Sequence, residues 1–266
     1  MARLDVAGGA LHYERWGEGP AVVFAHGAGG NRLSWWQQVP ALRGRFTCIA
    51  FDHRGFGQTP DPEGNGSKHF VDDLERLIEA EAPGQRIALV AQSMGGWTCL
   101  GYARRRPDRV AALVMCDTPG GVVGPGMADE QTHWRAARRP PDGHNPYIGT
   151  ALSHGYGERD SAGAYLYGMV AGLNERQFLR RDLGPFLATI HRCGPEDLAA
   201  LSVPVLWMAG SEDDLVSPAL IRMLAGWLPG SRYEEVPDAG HSVYWERPDL
   251  FNEMVAAFIM EHTDRQ

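Results

Sequence analysis

The chain of 266 residues predicts an α/β fold: a mostly parallel sheet flanked by helices, with one helical insertion. Short β-branched apolar runs alternate with longer amphipathic ones, the pattern of strands joined by crossover helices. The alternation breaks once, over residues 118–200, where no clear β run occurs. Hydrophobic residues make up 44% and charged residues 22%, the balance of a globular chain rather than a disordered one. At this length folding buries roughly three quarters of the surface, so a core forms without disulfide or metal staples.

The chain opens on a hairpin, with runs at 4–6 and 11–16 around Gly8-Gly9. Buried strands are expected at 21–25, 47–51, 87–91 and 110–116, then at 203–209 and 233–236. Helices fit between them at 35–42, 70–82, 94–106, 218–227 and 248–260. Pro218 and Pro248 stand in first helical turns, where the missing N–H costs nothing. The insertion opens on Pro119-Gly120-Gly121 and Gly124-Pro125-Gly126 and meets a second breaker zone at 140–146. Beyond that it reads as helical and aromatic, with Tyr165, Tyr167, Phe178 and Phe186. The chain thus divides into a core, 1–117 and 201–266, and a helical subdomain, 118–200, laid over the sheet edge.

The net charge of −8 argues against nucleic acid and anionic membranes as partners, leaving a small-molecule substrate. Cys48, Cys99, Cys116 and Cys193 are widely spaced and show neither a disulfide framework nor a zinc pattern. His53, His69, His133, His144, His154 and His191 have no ligand spacing either, so no metal and no cofactor are expected. The first residues lack the apolar stretch of a leader, and no run approaches a membrane span, so a cytoplasmic protein is expected. Between Asp129 and Arg192 eight Arg face seven acidic residues, so the remainder carries nearly all the negative charge. Arg176, Arg180 and Arg192 are candidates for a substrate anion there, although a solvated helical surface explains the same balance.

The sharpest chemical signal is Ala91-Gln92-Ser93-Met94-Gly95-Gly96, between a β run and an apolar helical run. A serine at so tight a strand-to-helix turn has its hydroxyl exposed, and small residues two before and two after let the two backbones approach. The helix N-terminus adds free N–H groups where an oxyanion would develop. Ala91 replaces the usual first glycine, which a methyl group can survive. Ala151-Leu152-Ser153-His154-Gly155 has the same letters, but no β run precedes it and no apolar helix follows. Context therefore selects Ser93.

A nucleophilic serine needs a base and an orienting acid. His241, in Asp238-Ala239-Gly240-His241-Ser242, follows the last strand and precedes the last helix. Glu212, Asp213 and Asp214 follow the strand at 203–209, and Asp117 ends the strand before the insertion. All these positions lie at strand C-terminal ends, the rim where open α/β sheets place their sites.

With His26-Gly27-Ala28-Gly29-Gly30, Phe51-Asp52-His53-Arg54-Gly55-Phe56-Gly57, the Ser93 turn and the Asp213/His241 pair in this order, the chain resembles the α/β-hydrolase fold over essentially its whole length. The insertion stands where that superfamily carries a helical cap. The resemblance implies Ser93 as nucleophile, His241 as base then acid, and Asp213 as orienting carboxylate, with the N–H groups of Ala28 and Met94 as oxyanion hole. Asp213 is favoured over Asp214, which would be a solvated neighbour. His26 reads as fixing the oxyanion loop, and Asp52 and Arg54 as bracing loops. Trp35, Trp36, Trp97 and the cap aromatics divide between pocket lining and plain core.

The expected activity is hydrolysis of a small, fairly apolar ester or lactone through an acyl-enzyme. Two other readings use the same residues. One is a carbon–carbon bond hydrolase acting on a diketone, suggested by the Ser93 turn and Trp245-Glu246, against which Ser242 follows His241. The other is a ligand receptor that keeps the triad.

Overall fold

The computed structural model describes residues 2–137, 151–174 and 180–263, the side chains of 180–182 excepted. His144, Arg176, Phe178, the breaker zone 140–146 and the Arg180 side chain lie outside what is described. The strands are β1 (Ala2–Val6), β2 (Gly9–Trp16), β3 (Ala21–Ala25), β4 (Thr47–Phe51), β5 (Ile87–Gln92), β6 (Val110–Cys116), β7 (Val205–Gly210) and β8 (Arg232–Val236). They form one sheet in the order β1-β2-β4-β3-β5-β6-β7-β8. The β1–β2 and β2–β4 pairs are antiparallel and the remaining pairs parallel, as expected.

Strands β3, β4, β5, β6 and β7 are buried along their whole length, as a sheet covered on both faces requires. Alternate residues serve opposite faces: Val23 and Ala25 join one core cluster, Val22 and Phe24 the other. The helices Phe70–Glu81, Met94–Arg105 and Pro218–Trp227 supply the first cluster. Trp35, Leu42 and the helix Pro248–Thr263 supply the second.

Two boundaries moved for reasons of proline chemistry. The helix expected at 35–42 is a 3₁₀ turn, Arg32–Trp35, followed by a short α-helix, Gln38–Leu42. Pro40 there falls in a first turn, where no intrahelical N–H bond is lost. The strand expected from 203 begins at Val205, because Pro204 has no N–H for the ladder and offers only its carbonyl, to Leu113.

Within 118–200 the described helices are Met127–Ala137, Tyr156–Arg159, Ser161–Gly172, Arg180–Leu187 and Pro195–Ala199. The segment's two ends meet at a bridge between Val122 and Cys193. Its side chains bond to loops beyond the C-terminal ends of β3, β7 and β8: Asn174 to Gly30, Trp134 to Asp213 and Tyr167 to Ser242. These three bonds join described residues of the insertion to the rim that carries the candidate residues. No helix among the described residues is long and apolar enough to cross a membrane.

Candidate active site

Ser93 joins β5 to the helix Met94–Arg105 with φ 47° and ψ −119°, a conformation that a non-glycine residue holds only under constraint. The constraint is packing. A Cβ on Gly95 would stand 2.1 Å from the Ala25 carbonyl oxygen, and one on Gly96 2.2 Å from Thr118 Oγ1. The Ser93 N–H donates to Cys116 on β6 at 3.0 Å.

The structure brings Ser93, His241 and Asp213 together in a line. His241 Nε2 lies 2.8 Å from Ser93 Oγ, and Nδ1 lies 2.8 Å from Asp213 Oδ2. A carboxylate only accepts, so Nδ1 carries the proton and Nε2 is left to accept from the serine hydroxyl. The other Asp213 oxygen accepts the N–H groups of Leu215 at 2.7 Å and Val216 at 2.9 Å, which fixes the carboxylate plane. Burial pulls the His241 imidazolium down, but the charge and hydrogen bond of Asp213, with Asp117 beyond, outweigh it. The imidazole is therefore raised above its ordinary value.

The neighbouring acids have other partners. Asp214 is not the solvated residue expected: it pairs with His154 Nε2 at 2.7 Å, and its side chain is only 8% exposed. The insertion brings that histidine, a contact that no local pattern announces. Asp117 is buried behind the site with φ 53°, and accepts the N–H groups of Gly210 at 2.9 Å and Val243 at 3.4 Å. It ties the acid loop to the base loop, while Asp213 is the acid that reaches the imidazole. Burial, then the Asp213 charge, pushes Asp117 up to about 7. Ser153 is bonded through Oγ and N–H to the buried Glu246 carboxylate, which also accepts from Gly240 at 2.9 Å.

His26 and His53 lie together under the loop 26–30. The Gly27 carbonyl accepts from His26 Nδ1 at 2.8 Å and from the Gly30 N–H at 3.0 Å. Because the peptide is trans, this turns the Ala28 N–H the opposite way. His26 Nε2 then accepts the His53 N–H at 3.0 Å. Burial draws His26 down to about 4 and His53 well below its usual range, so both rings are neutral. A Cβ on Gly27 would lie 3.1 Å from Ser93 Cβ, so this loop abuts the serine. Asp52 accepts from Arg32 and Gln58, and Arg54 forks onto Asp73 at 2.6 and 2.7 Å, so both brace loops.

Ser93 and His241 open on a cavity of about 380 Å³. Its apolar walls are Trp97, Pro119, Leu183, Leu187, Leu215, Val216 and Leu220, with Asp117, Gln131 and Arg135 as further polar members. Of the tryptophans considered from sequence, Trp97 lines it, Trp35 is core, and Trp36 stacks edge-on against Trp245. Arg192 is exposed and not among the lining residues. Arg135 was missed because the helix Met127–Ala137, which sets Gln131 and Arg135 one turn apart, was not anticipated. Among the described residues no group of three His, Cys, Asp or Glu side chains could hold a metal ion.

A mostly parallel sheet that turns a serine outward after β5 and returns its acid and histidine after β7 and β8 defines the α/β hydrolases as a structural class. Residues 20–248 match the model of the alpha/beta hydrolase fold, and the chain belongs to that family. A thermophilic esterase from Thermogutta terrifontis is similar in structure, with a TM-score of 0.80, 25% identity, and coverage of 98% of this chain and 100% of that one. The enol-lactonase from Burkholderia xenovorans LB400 has a TM-score of 0.78 at 25% identity, covering 97% of this chain and 100% of that one. By sequence, the cis-3-alkyl-4-alkyloxetan-2-one decarboxylase of Shewanella oneidensis is 24% identical over 97% of this chain and 87% of its own length.

Proposed function

We propose that this chain is a serine hydrolase that cleaves a small, fairly apolar ester or lactone through an acyl-enzyme. The observation that carries the reading is the relay Ser93–His241–Asp213, with both bonds at 2.8 Å, opening on a largely apolar cavity of about 380 Å³. That volume lies at the small end of the range for ligand pockets, which begins at roughly 300 Å³. An esterase and an enol-lactonase among the similar structures support the same bond class. Residues 118–200 act as its cap, since their side chains wall the cavity and bond to the rim loops.

In the first step Ser93 Oγ adds to the substrate carbonyl carbon while its proton passes to His241 Nε2. The imidazolium is held by Asp213. The carbonyl oxygen becomes an oxyanion on the Ala28 and Met94 N–H groups. Collapse expels the alkoxide, which takes the proton from His241 and leaves as an alcohol. Water then repeats the sequence on the acyl-serine, releasing the carboxylic acid and restoring Ser93. With a lactone, alcohol and acid leave as one hydroxy acid.

Multiple turnover of p-nitrophenyl acetate and butyrate and of a simple lactone tests the reading, with Ser93→Ala as control. Turnover abolished in a folded Ser93→Ala protein supports it. Turnover that survives the substitution overturns the mechanism, and a single slow turnover with tight ligand retention points to a receptor.

A further inference from the structure

Asn174 follows the insertion helix Ser161–Gly172 in the chain, yet its side chain is buried against the loop that precedes the first cap residue by almost ninety positions in sequence order, the glycine-rich stretch His26–Gly30. Its amide nitrogen donates to the carbonyl oxygens of Gly30 at 3.1 Å and Gly29 at 3.4 Å. Its amide oxygen accepts from Asn31 Nδ2 at 3.2 Å and from the Gly57 N–H at 3.0 Å. Asn31 in turn donates to the Val170 carbonyl at 3.0 Å, a second tie to the same helix. Both donors and both acceptor sites of Asn174 are thus engaged, three bonds on residues 29–31 and one on Gly57 in the loop after β4.

We propose that Asn174 is a positioning residue for the oxyanion loop, so that the insertion shapes the catalytic hole as well as covering the cavity. The inference rests on the serine-hydrolase reading above. Glycine peptides flip at small cost, and the sequence Gly27-Ala28-Gly29-Gly30 has only one side chain to resist it. His26 and the Gly30 N–H hold the Gly27 carbonyl, which directs the Ala28 N–H. That arrangement is stable only while Gly29 and Gly30 keep their own carbonyls turned away, and Asn174 is the group that binds both. An oxyanion donor must be aimed before the reaction, because a donor that reorients during the step loses most of its benefit.

Asn174→Ala and Asn174→Asp test this; the aspartate faces two carbonyl oxygens with an acceptor. Kinetics on p-nitrophenyl butyrate are read per folded molecule, with circular dichroism and the thermal midpoint fixing the folded fraction. Phenylboronic acid supplies a second readout: Ser93 Oγ adds to boron, its proton passes to His241, and the tetrahedral adduct places an oxygen where the oxyanion sits. Misaiming one donor should lower kcat roughly ten- to hundredfold, less than the roughly 10²–10³ for losing such a donor outright, and weaken the boronic acid by a similar factor. KM should change by less than about threefold, because ground-state binding does not use the hole. Asn174→Ser, smaller but still a donor, is read the same way should the first two fail to fold. A kcat within about twofold of wild type, a KM effect with kcat intact, or unchanged boronic acid affinity overturns the proposal. Ester turnover that survives Ser93→Ala overturns the parent reading instead, and this role with it.

Discussion

Gln92 Nε2 donates to the carbonyl oxygen of His241 over 2.7 Å, so the residue before the serine holds the backbone of the base. Its other amide atom, Oε1, would stand 2.0 Å from a Cβ on Gly27, so the same side chain also abuts the loop 26–30. Replacing Gln92 with Leu keeps the volume but leaves the buried His241 carbonyl without this donor, a loss of about 1–3 kcal/mol. The expected result is a lower thermal midpoint and a kcat reduced roughly tenfold, through misplacement of the imidazole. A Gln92→Leu protein with wild-type kcat would show that the base loop is held elsewhere.

Ser93→Ala and His241→Ala should each lower kcat by roughly 10⁴-fold or more with little change in thermal midpoint, because the relay works as a unit. Asp213→Asn should damage activity far more than Asp214→Asn, since only Asp213 faces the imidazole while Asp214 serves His154. The reverse ranking in kcat/KM would move the acid by one residue.

The pH profile carries a sign. In the proposed mechanism serine attack needs neutral His241, whose proton affinity is raised by Asp213 and by Asp117 against the opposing effect of burial. The acidic limb of kcat/KM should therefore lie above pH 6.5, the ordinary histidine value. Asp117 is itself raised to about 7, so its charge is only partly present over that limb. Asp117→Asn removes this partial charge, and the limb should move slightly to lower pH while turnover persists. A limb that stays in place would mean that the Asp117 charge is not felt at His241.

Acid stability follows from His26, whose folded value of about 4 lies below the unfolded value near 6.5. Below pH 6.5 the unfolded chain binds a proton that the folded chain refuses, so stability falls as pH drops from 6.5 toward 4. His26 alone contributes about 3 kcal/mol to that slope, and His53 acts in the same direction. Asp117 and Glu246, both raised by burial, work against it by gaining stability on acidification. Because these contributions oppose one another, the check is differential: between pH 6.5 and 4.5 acid should lower the thermal midpoint of His26→Gln less than that of the wild type. Equal slopes in the two proteins would assign the acid sensitivity to other groups.

How much of this was legible depends on how local each signal is. The strands β3, β4, β5 and β6 were readable because a strand buried on both faces must be apolar throughout, and the Ser93 turn because strand, turn and helix are adjacent in sequence. His26 as a brace for its loop was readable for the same reason: its partner is the next residue, Gly27. The neighbourhood of Asp214 was not, because a solvated acid and one paired with His154 have the same letters. Arg135 and Asn174 escaped notice because their meaning depends on where a helix of the insertion comes to rest.

The fold class, the chain order of Ser93, the acidic candidates and His241, and the small residues that let the serine turn close were legible in the primary structure. Those are properties of short stretches, where backbone sterics and apolar periodicity leave few alternatives. Which carboxylate reaches His241, which walls enclose the cavity, and that Asn174 grips Gly29 and Gly30 emerge from the folded chain. Each of these is a contact between segments far apart in the chain, made by hydrogen bonds whose partners are chosen by packing and carry no mark in the local sequence.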